Sequence, residues 1–75
     1  MEEVIEILES VHPEVSYETE TGLIDKRILD SFDVVNIVGE LMDVFDIEIN
    51  AEHMIPENFN SAQAIFRLVT RLQED

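Results

Sequence analysis

Ser31 is the residue in this 75-residue chain best placed for chemistry. It stands in Asp30-Ser31-Phe32, at the head of an apolar-periodic stretch that runs to Phe45-Asp46-Ile47-Glu48-Ile49. Asp30 is a good N-cap, Asp33 approximates the reciprocal partner of a capping box, and Ser31 falls at the first helical position. A helix N-terminus presents unpaired N–H groups and a partial positive charge. A phosphodiester on the Ser31 hydroxyl would therefore sit in a favourable field worth roughly 0.3–1 kcal/mol. Ser beside Asp at a helix start is also ordinary capping chemistry, and the dipeptide alone does not separate the two.

Other chemistries find less support. The chain has no cysteine, which excludes a disulfide framework, a thiolate nucleophile and a zinc–cysteine site. His12 and His53 have no nucleophile at a telling spacing, so both are expected to face solvent without a role. Asp46, Glu48, Asn50, Glu52 and Glu57 fit an EF-hand frame, but Ala51 stands where that loop requires glycine and Pro56 interrupts its end. Ile47 and Ile49 read instead as buried anchors of a tight connector, and no metal site is expected. A chain this short also lacks material for a deep, water-excluding pocket of several hundred Å³.

Eighteen acidic residues against 4 basic ones give a formal charge of −14. That surface repels phosphate backbones and anionic lipids, arguing against nucleic acid and stable membrane insertion and for basic patches on partner proteins. The compact state also repels itself, so salt or divalent cations should stabilise it. Met1-Glu2-Glu3-Val4 is acidic where a secretion signal would be basic, and no apolar run exceeds Ala64-Ile65-Phe66. The expectation is a soluble, cytoplasmic, monomeric protein made of one small domain, residues 1–75.

The elements that must position Ser31 follow from periodicity. Val4, Ile7, Leu8 and Val11 mark a first helix, with glutamates on its other side, ending near His12-Pro13. From Pro13 to Leu29 a long loop is expected, turning at Thr21-Gly22 and pinned to the core by Leu23, Ile24, Ile28 and Leu29. A second helix should run from Ser31 to Phe45. Its apolar residues, Val34, Val35, Ile37, Val38, Leu41, Met42, Val44 and Phe45, cover more of the circumference than one neighbour can bury, and Phe45 is taken as core. Asp33, Asn36, Gly39, Glu40 and Asp43 form its polar arc. Met54, Ile55 and Phe59 mark a short third segment around Pro56. Ala62, Ile65, Phe66, Val69 and Leu72 mark a last helix, with Asn60 as its cap and Gln63 at the capping-box position. Arg67 and Arg71 could pair with the acidic first helix. The fold class is therefore all-α, a small four-helix bundle of three main helices and one short one. Gly39 is costly inside a helix, by about 1 kcal/mol relative to Ala, and a close partner approach would explain it.

Ile28-Leu29-Asp30-Ser31-Phe32-Asp33-Val34-Val35, followed by Leu41 and Phe45-Asp46-Ile47-Glu48-Ile49, resembles the core of the acyl carrier protein family. The resemblance extends over nearly the whole chain, from the acidic first helix to the closing amphipathic one. It implies that Ser31 receives a 4′-phosphopantetheine arm from coenzyme A through a separate Mg²⁺-dependent phosphopantetheinyl transferase. The arm's thiol would carry the cargo as a thioester, so the protein would be acted on by enzymes rather than be one. It also implies a docking surface of Asp30, Phe32, Asp33, Asn36, Gly39, Glu40, Met42 and Asp43, read by loading ligases and downstream transferases or synthases with basic patches. Val34, Val38, Leu41, Phe45, Ile49, Ile55 and Phe59 would line a core able to shelter cargo.

Leu29 is bulky where fatty-acid carriers usually have a small residue, and Asn36 and Met42 make the second helix less acidic than theirs. The Ile-Leu-Asp-Ser-Phe wording is similar to D-alanyl carriers of cell-wall polymer modification and to stand-alone aminoacyl carriers. Fatty acyl and aminoacyl cargo both stay open. So does a reading from another class, a non-carrying acidic interaction domain in which Ser31 is only a capping residue.

Overall fold

Apolar residues at helical spacing, set among glutamates, build α1 (Glu2–Val11), which buries Val4, Ile7 and Leu8 and carries Glu2 and Glu3 in its first turn. The computed structural model describes residues 1–74. Pro13 disfavours helical backbone at His12 and ends the helix there. The chain then continues as α2 (Ser31–Phe45), a 3₁₀ turn (Ala51–His53), α3 (Pro56–Phe59) and α4 (Ala62–Glu74). α1 packs against α2 and α4, α2 against α4, and α3 against α4. This is an all-α four-helix bundle, as the periodicity predicts.

The loop between α1 and α2 is pinned at two points. Tyr17, 2 % exposed, places its hydroxyl 3.0 Å from the Leu8 carbonyl oxygen and 2.8 Å from that of His12, donating into the open end of α1. Burial pushes the Tyr17 pKa up to about 12, so it stays a neutral donor. Leu23 is fully buried and its N–H donates to the Asn60 carbonyl at 2.8 Å, while its own carbonyl accepts from the N–H groups of Ile28 and Leu29. Leu29 is buried, and Ile24 and Ile28 are half-buried against the core, as expected of them.

α2 has the expected bounds and buries Ile37, Val38 and Leu41. Its surplus apolar arc reaches solvent, with Val35 58 % and Val44 48 % exposed. Phe45 is half-buried against the core instead of lying within it, because the helix ends there. Asp46 closes α2 in the left-handed region at φ 54°, a conformation Asp tolerates better than most residues with a side chain.

Two expectations about α4 fail for tertiary reasons. Its cap is Ser61, whose Oγ accepts from the Ala64 N–H at 3.0 Å. Asn60 is spent elsewhere: its Oδ1 accepts from the N–H groups of Ile24 at 2.9 Å and Asp25 at 3.1 Å, tying the loop to the α3–α4 junction. Gln63 reaches the Glu18 carbonyl. Arg67 and Arg71 do not pair with α1; among the described residues the ion pairs are His12–Glu14, His12–Asp33 and Lys26–Glu20. Arg71 instead approaches Asn58 at 3.5 Å. Among the described residues no helix is long and apolar enough to cross a membrane.

Candidate functional site

The start of α2 is fixed by a complete capping box. The Asp33 N–H donates to Asp30 Oδ1 at 2.9 Å, and the Asp30 N–H donates to Asp33 Oδ2 at 3.2 Å. Ser31 lies between them at the first helical position, exposed, with its hydroxyl outside the box. Backbone geometry is thus set by its neighbours, and the hydroxyl is left available.

A solvent-open cleft of about 460 Å³ adjoins Ser31, lined by Val34, Val35, Met54, Ile55 and Phe59 among others, with Arg27 and Asp30 as its charged members. The cleft is an open groove and not the deep, water-excluding pocket for which so short a chain was expected to lack material. Met54 is 38 %, Ile55 43 % and Phe32 81 % exposed, so apolar surface clusters around the serine.

Asp30, Phe32, Asn36, Gly39, Glu40 and Asp43 are exposed along α2. Asp33 and Met42 are half-buried: the Asp33 carboxylate is engaged in the capping box, and Met42 packs against the core. Val38, Leu41, Ile49 and Phe59 are buried, and Val34 and Phe45 partly so. Val34, Ile55 and Phe59 share the cleft with Ser31, whereas Val38, Leu41, Phe45 and Ile49 do not line it.

Open space surrounds Gly39, where an added Cβ meets nothing within 4 Å. Gly39→Ala is expected to stabilise the protein by about 1 kcal/mol, raising the melting midpoint by about 4–8 °C. Thermal melts check this. No internal contact therefore explains the glycine, and unchanged partner affinity in the variant would rule out close approach as its reason.

His12 is not the idle surface residue that its spacing predicts. Its Nε2 lies 2.7 Å from Asp33 Oδ2 and its Nδ1 3.1 Å from Glu14 Oε1, joining the end of α1 to the box that holds Ser31. The Asp33 hydrogen bond, then that of Glu14, raises the imidazole pKa above its usual 6.5. In return the His12 hydrogen bond, with a smaller contribution from the Asp30 N–H, lowers that of Asp33 below 3.8. The raised histidine contributes stability in full below 6.5 and loses it as pH rises through the folded-state value. The lowered aspartate contributes above 3.8 and loses it as pH falls through its folded-state value. The pair therefore helps most between these limits, by about 0.2–1 kcal/mol for partly exposed partners. At constant ionic strength the wild-type melting midpoint should fall relative to His12→Gln as pH rises from 6.5 to about 8. Parallel curves would show the contact to be energetically silent.

His53 is half-buried and also has a local role, its Nδ1 accepting the Asn50 N–H at 3.0 Å in the 3₁₀ turn. That turn occupies the acidic segment considered as a calcium loop. Among the described residues, no three His, Cys, Asp or Glu side chains group to hold a metal ion.

Sequence reasoning missed His12, Tyr17 and Arg27 as parts of the framework around Ser31. Tyr17 carried one signal, being the only tyrosine in the chain and set in a polar loop.

Over 72 residues the chain is 36 % identical to a D-alanyl carrier protein of Streptococcus sanguinis (strain SK36), an alignment covering 95 % of this chain and 91 % of that protein. No family model matches the chain, and no solved structure matches it. An identity of this level running almost end to end, on an all-helical bundle with an exposed serine at the head of α2, places the chain in the family of acyl and aminoacyl carrier proteins.

Proposed function

We propose that Ser31 is the attachment point of a 4′-phosphopantetheine arm and that the protein carries a small aminoacyl group of the D-alanyl class. The observation that carries the attachment is the exposed Ser31 hydroxyl, left out of the capping box beside an open apolar cleft. When attached, the arm supplies the thiol that this cysteine-free chain lacks and holds the cargo as a thioester. Ser31 is an acceptor, and the transferase brings the base. Asp30 and Asp33 fix the backbone of the first turn of α2, which holds Ser31 at the helix head with its side chain toward solvent. The N–H groups of that turn favour the phosphodiester.

The aminoacyl reading draws on the D-alanyl carrier relative and on the Ile-Leu-Asp-Ser-Phe wording. The cleft agrees with it: a small polar group needs no enclosed apolar chamber, and this groove is open. Asp30, Phe32, Asn36, Gly39, Glu40 and Asp43 form the docking surface for the transferase, a loading ligase and a downstream acyl-transferring enzyme. Their charge speeds encounter with basic patches and leaves complexes short-lived, which suits a shuttle.

The experiment is incubation with a broad-specificity phosphopantetheinyl transferase, Mg²⁺ and coenzyme A, followed by intact-mass measurement. The wild type should gain one phosphopantetheine and Ser31→Ala none. An unmodified wild type, in a tube where a known carrier is converted, leaves the non-carrying interaction domain as the better reading. On the modified protein, an octanoyl group should leave core NMR resonances and melting point unchanged; a clear response would favour fatty cargo.

A further inference from the structure

Arg27 is the cation among the residues lining the Ser31 cleft. Its backbone stands at φ 60°, and among the described residues Asp46 is the other non-glycine with positive φ. The turn enforces this: the Lys26 N–H donates to the Gly22 carbonyl, the Arg27 N–H to that of Ile24, and the N–H groups of Ile28 and Leu29 to that of Leu23. Asn60 fixes the same turn from outside through Ile24 and Asp25. Glycine would adopt this conformation freely, so an arginine here is a strained choice of residue at the edge of a functional cleft. Neighbouring Lys26 is paired with Glu20 at 3.0 Å, whereas Arg27 enters no ion pair among the described residues. The other charged residue of the cleft, Asp30, has its Oδ1 occupied by the Asp33 N–H.

We infer that Arg27 is the counter-ion of the phosphodiester formed on Ser31 and holds the arm along the apolar groove. This rests on Ser31 being the attachment point. A phosphodiester is a monoanion with two free oxygens, and a guanidinium can meet both through parallel N–H donors. The first-turn N–H groups of α2 act on the same anion. In a chain of formal charge −14 the arm's phosphate otherwise enters a repulsive field, so a cation held on a fixed turn decides where it rests. Arg27 is exposed, which makes the pair sensitive to salt and open to displacement by a partner's basic residues.

The test starts from the transferase reaction, with intact mass reporting attachment, and then compares unmodified and modified protein by ¹⁵N NMR. On attachment at low salt the Arg27 Nε–H resonance should move while those of Arg67 and Arg71 stay, and the movement should vanish at high salt. Arg27→Gly, which the left-handed backbone accommodates, should accept the arm but lose the attachment-induced amide shifts at Val35 and Ile55; Arg27→Lys should retain part of them. Modified protein with an unmoved Arg27 Nε–H, or Arg27→Gly with those shifts intact, overturns the role of Arg27 and leaves Ser31 as the attachment point. Absence of any mass gain overturns both.

Discussion

At an ionic strength of about 0.01 M the protein is expected to melt at least roughly 10 °C below its midpoint at about 0.15 M. Its formal charge is −14 and its principal extents are 31 × 23 × 19 Å. The screening length falls from about 30 Å to about 8 Å between those two conditions. At the lower one every carboxylate repels every other across the molecule; at the higher one only near neighbours interact. Treated as a charged sphere in water, the folded molecule sheds on the order of 5–10 kcal/mol of self-repulsion over this range. The expanded unfolded chain sheds about a third as much, which leaves several kcal/mol in favour of the fold. At about 4–8 °C per kcal/mol for a domain of this size, the rise should be plain in thermal melts. Melts in NaCl and MgCl₂ at equal ionic strength separate general screening from binding of the divalent ion by neighbouring carboxylates. A midpoint indifferent to salt would show that the charges are already neutralised in some other way. A response confined to Mg²⁺ would reveal a specific site.

What was legible in the sequence is what local chemistry decides. The start of α2 was readable because Asp30 and Asp33 form a capping box within three residues of each other, and the end of α1 because Pro13 disfavours helical backbone at the residue before it. Ser31 and the exposed acidic face of α2 followed from the same stretch. What escaped depends on partners distant in sequence. Asn60 and Ser61 are both good caps, and only the backbone of the loop at Ile24 and Asp25 decides that Asn60 is taken and Ser61 left for α4. His12 meets Asp33 across 21 positions, a contact without a periodic signature. Arg27 joined the cleft for a similar reason: the backbone bonds of a loop with no helical or strand spacing set its φ. Ile55 and Phe59 looked alike as apolar residues of one short segment, yet the single turn of α3 exposes the first and buries the second.

That last distinction gives the second large effect. Phe59→Ala is expected to cost about 3–5 kcal/mol, the range for truncating a buried aromatic. Phe59 is 1 % exposed, belongs to the core, and also lines the cleft beside Ser31. A domain of 75 residues has roughly 4–11 kcal/mol of stability in total, so the variant should sit near or beyond the edge of folding at 37 °C. The loss is not easily absorbed by local repacking. α3 spans only Pro56–Phe59, too short to persist through its own helix propensity, and Phe59 is the residue it buries. Without that ring, α3 loses its anchor on the core, and the wall of the cleft formed by Ile55 and Pro56 loses its support. Ile55→Ala is the matched control, in the same cleft but 43 % exposed, and should cost less than about 1 kcal/mol. Urea titrations of the two variants separate the cases, because the midpoint should fall steeply for Phe59→Ala and barely for Ile55→Ala at similar slope. A Phe59→Ala midpoint as high as that of the wild type would mean that the α3 anchor contributes nothing to folding, and that the groove beside Ser31 takes its shape from α2 and the preceding loop.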